Sequence, residues 1–134
     1  DEASLRGVGL SAQKHAYIVD LARHFGDGRL SDDAIAAMDD DALSCALRAV
    51  KGIGEWTVHM FMMFFLKRPD VLPCGDLAVR KGFAALYGVG GNTVAAGGSG
   101  RKVPTTKKRL PTPAEMEAIA EAWRPYRSLG AYFM

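Results

Sequence analysis

Apolar residues recur at helical spacing along the first part of the chain. Between Ser11 and Phe25 they fall at Ala12, Tyr17, Ile18, Leu21, Ala22 and Phe25, and the pattern stops at Gly26-Asp27-Gly28, a glycine-rich helix terminator. Ser31 predicts the N-cap of a short second helix that runs to about Met38, since its hydroxyl can accept an orphan amide of the first turn. Asp39-Asp40-Asp41 then places carboxylates before a third helix, Asp41 to Val50, where they suit the positive end of the helix dipole. Glu55 to Leu66 is apolar almost all round, which predicts a central helix with its methionines and phenylalanines in the core. Asp76 is a candidate N-cap for a helix from Leu77 to about Leu86. Thr112-Pro113-Ala114-Glu115 reads as a capping box with proline at the first helical position. Met116, Ile119, Ala120 and Trp123 share one face of the helix it opens, and a last helix starts near Tyr126 and is still apolar at Met134. No window combines period-two alternation with β-branched enrichment, so the predicted class is all-α.

One stretch breaks the helical pattern. Gly88 to Lys102 holds six glycines and almost no large apolar residue, too little to offset the entropy of ordering it. Residues 88–109 are therefore expected to be a flexible insertion between a helical core, residues 1–87, and C-terminal helices, residues 110–134, that pack on the same core. Its basic residues, Arg101-Lys102 and Lys107-Lys108-Arg109, fit either a nuclear-import address or charges that keep a loop solvated. The chain opens at Asp1 and ends within an apolar pattern, which suggests a fragment.

Charge changes the picture more than length does. The net charge is +2, yet residues 1–45 carry four basic against nine acidic side chains, and residues 46–134 carry thirteen against six. A polyanionic partner for the second part is one reading, and an unevenly charged solvated surface is the other. The two cysteines, Cys45 and Cys74, fit reduced thiols better than a disulfide framework. The longest apolar run, Met60 to Leu66, is far short of the ~20 residues that cross a bilayer. A monomer that is intracellular, and nuclear in a eukaryote, with no membrane partner, is the expectation.

The stretch with the most chemistry is Leu47-Arg48-Ala49-Val50-Lys51-Gly52-Ile53-Gly54-Glu55-Trp56-Thr57-Val58. It reads as a helix, a turn with two glycines around one aliphatic residue, and a second helix. Glycines permit backbone conformations and close approaches that a Cβ forbids, and Ile53 can plug between the helices. Amides of such a turn point outward and form a nest for a phosphate oxygen. That surface grips a nucleic-acid backbone without reading its sequence. By itself, Gly-Ile-Gly also suits an ordinary tight turn, as Asp76 by itself suits plain helix capping.

Together these pieces resemble the helix-hairpin-helix DNA glycosylase superfamily, in its alkylpurine, 3-methyladenine branch. The resemblance rests on the hairpin motif, on Asp76 opening a helix twenty residues after Trp56, on Gly9-Leu10-Ser11 with Lys14 and Tyr17, and on Trp123-Arg124-Pro125-Tyr126-Arg127-Ser128. It implies an enzyme that extrudes a damaged base from duplex DNA into a pocket and hydrolyses its glycosidic bond. Asp76 is then the catalytic carboxylate, stabilising positive charge on the sugar or orienting the attacking water. Trp56 and Met60 line the base pocket, the aromatic face stacking on a cationic alkylated base, although Trp56 also suits a hydrophobic core. Gly52, Ile53, Gly54 and Thr57 bind DNA phosphate. The resemblance further implies a structural Na or K ion on the main-chain carbonyls of Arg48, Val50 and Ile53, and no other cofactor. Bifunctional relatives carry a Schiff-base lysine where this chain has Trp56, so the implied chemistry is monofunctional. Met60 departs from an aromatic residue at that position in a bacterial relative, and the glycine-rich insertion is longer than usual. The resemblance also implies that the fragment lacks upstream helices. A non-catalytic helix-hairpin-helix module that docks on duplex DNA is the competing class.

Overall fold

The structure is a computed structural model that describes residues 7–90 and 109–134. The described residues are helical with no strand, as the sequence pattern predicts. They divide into two compact units, Asp1–Val58 and His59–Met134.

In the first unit, α1 (Ala12–Gly26) begins where the Ser11 hydroxyl accepts the Lys14 amide. It ends where Gly28, at φ +77°, lets its amide return to the Phe25 carbonyl. α2 (Asp32–Ala37) is capped by Ser31 through the Ala34 amide. α3 (Asp40–Arg48) starts one residue earlier than Asp41, because the capping carboxylate is Asp39, which accepts the Ala42 amide at 2.8 Å. It stops before Val50, whose amide closes a turn on the Leu47 carbonyl. Leu30, Ile35, Leu43, Leu47, Val50 and Val58 are buried here.

α1 presents an unexpected stripe. Its buried residue is His24, 4% exposed, whereas Ile18 and Phe25 are 47% and 41% exposed. The imidazole is satisfied where it sits: Nδ1 lies 2.9 Å from the Asp20 carbonyl and Nε2 lies 2.8 Å from Arg29 Nη1. A guanidinium only donates, so Nε2 accepts and Nδ1 carries the proton that it donates to Asp20. Arg29 is held in turn by Asp27.

α4 (Glu55–Met60) continues as a π-helical turn, Phe61–Phe65, closed by the Leu66 amide on the Phe61 carbonyl. The sequence predicts one regular, buried helix to Leu66, and the structure corrects this. The wider turn shifts the phase of the apolar stripe, and burial falls on Val58 and Met62 while Phe64 and Phe65 are exposed. The described residues cover one face of this segment only.

The second unit holds α5 (Leu77–Tyr87), α6 (Pro113–Ala120) with a short 3-10 turn over Glu121–Trp123, and α7 (Arg127–Tyr132). Its core joins Leu72, Val79 and Phe83 to Met116, Ala120 and Ala131, and Trp123 leans on Phe83 with ring centroids 5.0 Å apart. α6 starts at the expected capping box: Thr112 and Glu115 exchange side-chain and backbone hydrogen bonds. Arg109 pairs with Glu115, and this hydrogen bond, followed by those from Thr112, pulls the Glu115 carboxyl down to about 2. The glycine-rich, basic stretch read as an insertion falls largely on residues 91–108, outside the described residues. On either side of it the Arg109 amide donates to the Gly90 carbonyl at 3.1 Å. No described helix is long and apolar enough to cross a membrane, and Cys45 and Cys74 are free thiols.

Candidate nucleic-acid interface and carboxylate site

In the first unit the turn after α3 is built from short backbone bonds. Val50 donates to Leu47, Ile53 donates to Val50 at 3.2 Å, and Val58 donates to Gly54 at 3.1 Å. Gly52 takes φ +87°, and a Cβ there would overlap the Tyr17 ring of α1. Glycine is thus required at 52 by both conformation and space. Gly52, Gly54 and Thr57 are exposed and Ile53 is half-buried. The Gly52 and Gly54 amides donate to no acceptor among the described residues, so the turn meets solvent with donors outward. The Lys51 amide instead donates to Asp20 Oδ2 of α1, at 2.8 Å. Trp56 follows on α4 and is 50% exposed, which does not match a core tryptophan.

In the second unit Met60 is half-buried, and Asp76 occupies the N-cap of α5. Asp76 Oδ1 accepts the Ala78 and Val79 amides at 2.8 and 3.0 Å. The approach to it is tightly bonded: Cys74 donates to Leu72 and Asp76 to Pro73, both at 2.9 Å. Val71, Leu72 and Pro73 are buried. Upstream, the loop is clasped by the start of α7. Ser128 Oγ accepts the Val71 amide and donates to the Arg68 carbonyl, while the Ser128 amide donates to Pro69. Arg127 reaches Asp70 at Oδ1 and Oδ2, at 2.7 and 3.0 Å, and also its carbonyl. These bonds hold the Asp70 carboxyl below the usual carboxylate range, with Arg127 the main cause and Arg124 a smaller one. A shallow apolar recess in this unit is lined by Met63, Phe64, Lys67, Tyr126, Leu129 and Tyr132, and none of the sequence-predicted site residues lines it.

Known proteins share this fold. No family model matches the chain. The DNA-3-methyladenine glycosylase 1 of Schizosaccharomyces pombe is 27% identical over 131 residues, which is 97% of this chain and 50% of that protein. The crystal structure of a DNA-3-methyladenine glycosidase from Bacillus halodurans superposes with a TM-score of 0.76 at 30% identity, covering 99% of this chain and 53% of that one. The structure of the S. pombe 3-methyladenine DNA glycosylase Mag1 in complex with abasic DNA gives a TM-score of 0.74 at 27% identity, over 99% and 56% of the two chains.

In sequence and in fold the chain is similar to DNA-3-methyladenine glycosylases, which is consistent with the helix-hairpin-helix DNA glycosylase superfamily. It spans about half the length of the relatives it matches. The hairpin and Asp76 are legible in the sequence as a motif, but their supports are not. Asp20 lies 31 residues from Lys51, and Arg127 lies 57 residues from Asp70. Neither pair leaves a local spacing signal, although Arg127-Ser128 does fall inside the closing stretch that carries the family resemblance.

Proposed function

We propose that this chain is the hairpin-bearing part of a monofunctional DNA glycosylase that hydrolyses the N-glycosidic bond of alkylated purines, such as 3-methyladenine, in duplex DNA. The observation that carries this reading is the Asp76 carboxylate, fixed at Oδ1 by two amides of α5 at a helix end that favours negative charge. Departure of a purine leaves positive charge on the sugar, and a preorganised carboxylate stabilises it or orients the attacking water. An alkylated purine is already a good leaving group, so a strong general acid is not needed. The exposed indole of Trp56 offers a face for an electron-poor base, and Met60, four residues on along α4, is the second residue assigned to base contact. The Gly52, Ile53, Gly54 and Thr57 segment supplies phosphate donors. The main-chain carbonyls of Arg48, Val50 and Ile53 would hold a monovalent cation, and Val50 O, which accepts the Ile53 amide, keeps a second lone pair that could serve it. The S. pombe relative was solved with abasic DNA, the product such a reaction leaves, and this supports damaged duplex DNA as the partner.

Trp56 has no amine, so water is the nucleophile and the product strand stays intact until alkali or heat is applied. The test incubates an active-length form of the protein with duplexes carrying hypoxanthine, ethenoadenine or methylated bases. Alkali-labile sites, with no covalent adduct after borohydride, are expected. Duplex binding without excision of any lesion would leave the DNA-docking module as the better reading, and an adduct lost in Lys51→Ala would establish a lyase.

A further inference from the structure

We infer that Asp20 is the positioning residue of the hairpin: it fixes the Lys51 amide inward, so that the amides of Gly52 and Gly54 are the ones presented to a DNA phosphate. This rests on the reading of the turn as a phosphate-binding surface.

The observations converge on one stripe of α1. Tyr17, Asp20, Leu21 and His24 follow the i, i+3, i+4, i+7 spacing of a single helix face. Tyr17 backs Gly52 closely enough that a Cβ would overlap its ring. One turn on, Asp20 Oδ2 accepts the Lys51 amide at 2.8 Å. One turn further, buried His24 stands 3.7 Å from the same Asp20 oxygen and donates from Nδ1 to the Asp20 carbonyl. Arg29 seals its other nitrogen. The Asp20 carboxylate is only 27% exposed, so both the helix position and the side-chain rotamer that meet the turn are held from behind.

A carboxylate beside a phosphate-binding turn opposes binding through charge and favours it through geometry. The two effects have opposite signs, and an asparagine separates them, because its amide oxygen accepts the Lys51 N–H without carrying charge.

The experiment measures hydrogen exchange of the Lys51 amide and affinity for an undamaged, fluorescein-labelled duplex, using the 134-residue chain and its Asp20→Ala and Asp20→Asn variants well below their melting temperatures. Asp20→Ala is expected to speed Lys51 exchange about ten-fold and to weaken duplex binding roughly three- to ten-fold. Asp20→Asn is expected to keep the Lys51 amide protected and to bind the duplex as tightly as the parent or about two-fold tighter. A residue that merely stabilised the unit would lower the melting temperature and leave affinity alone under these conditions. The inference is overturned if Asp20→Ala binds like the parent, or if Asp20→Asn is as weak as Asp20→Ala. A parent chain that does not bind duplex at all removes the phosphate-binding reading itself, a failure distinct from both.

Discussion

The hairpin turn and the loop that leads to Asp76 solve two different holding problems. The turn, residues 51–54, offers backbone groups: its glycines are exposed, Gly52 has a left-handed φ, and one carboxylate from α1 grips it at one amide. The loop, residues 67–76, ties up much of its backbone in hydrogen bonds and ends on one side chain. Arg127 and Ser128 bind it at four successive residues, from Arg68 to Val71, and three buried residues precede the final turn into Asp76. A surface that grips any phosphate needs donors facing outward, and these tolerate small displacements because the ligand is a mobile, solvated polymer. A carboxylate that stabilises developing charge needs fixed geometry, since small misplacements cost rate steeply. Under the proposed function, the difference in support follows from the difference in task.

The sharpest way to test that contrast is Asp76→Asn in an active-length form. Excision of an alkylated purine should fall by about 10²-fold or more in single-turnover assays, while duplex affinity holds, because the hairpin is untouched. Asparagine also caps helices well, so the melting temperature should barely move. Unchanged excision would assign Asp76 to capping alone.

Arg127→Ala should break the second region without the first. It removes three bonds to Asp70 from a side chain that is 16% exposed, at a cost of about 2–4 kcal/mol in urea unfolding. The pH dependence has a defined sign. The Asp70 carboxyl titrates below its ordinary 3.8 in the folded chain, so its contribution is complete above that value and disappears as pH falls through the lowered one. Glu115 behaves likewise between its ordinary 4.5 and about 2. Unfolding midpoints of the parent should therefore decline on acidification below about pH 4, and Arg127→Ala should flatten that decline. An equally steep acid limb in the variant would show that Asp70 is not among its causes.

Gly52→Ala addresses the first region. A left-handed φ and the Tyr17 ring both oppose a Cβ, which predicts a loss of about 1–2 kcal/mol and weaker duplex binding, with Asp70-linked acid behaviour unchanged. Full stability and full affinity together would mean that the turn can relax. The smallest effect expected is ionic. Replacing K⁺ or Na⁺ with a bulky organic cation at equal ionic strength should lower stability by about 1 kcal/mol or less, through the carbonyls of Arg48, Val50 and Ile53. Identical melting in all three salts would remove the cation from the hairpin.

Local chemistry is what the sequence alone determined. Ser31, Asp76 and the Thr112–Glu115 box cap their helices as read, because an N-cap bond closes within two or three residues and depends on little else. The Gly-Ile-Gly turn was legible for the same reason: a positive φ at Gly52 is a demand that glycine meets locally. Tertiary structure decided burial and support. Periodicity marked Ile18 and Phe25 as inward residues of α1, yet His24 took the buried position, since Asp20 and Arg29 satisfy both of its nitrogens. The apolar run after Glu55 read as one buried helix, yet its π-helical turn and its exposed Phe64 and Phe65 depend on which faces the rest of the chain covers. Asp20 with Lys51 and Arg127 with Asp70 are partners across 31 and 57 residues. Bonds of that span exist only once folding has brought the helices together, and no pattern of adjacent residues encodes them.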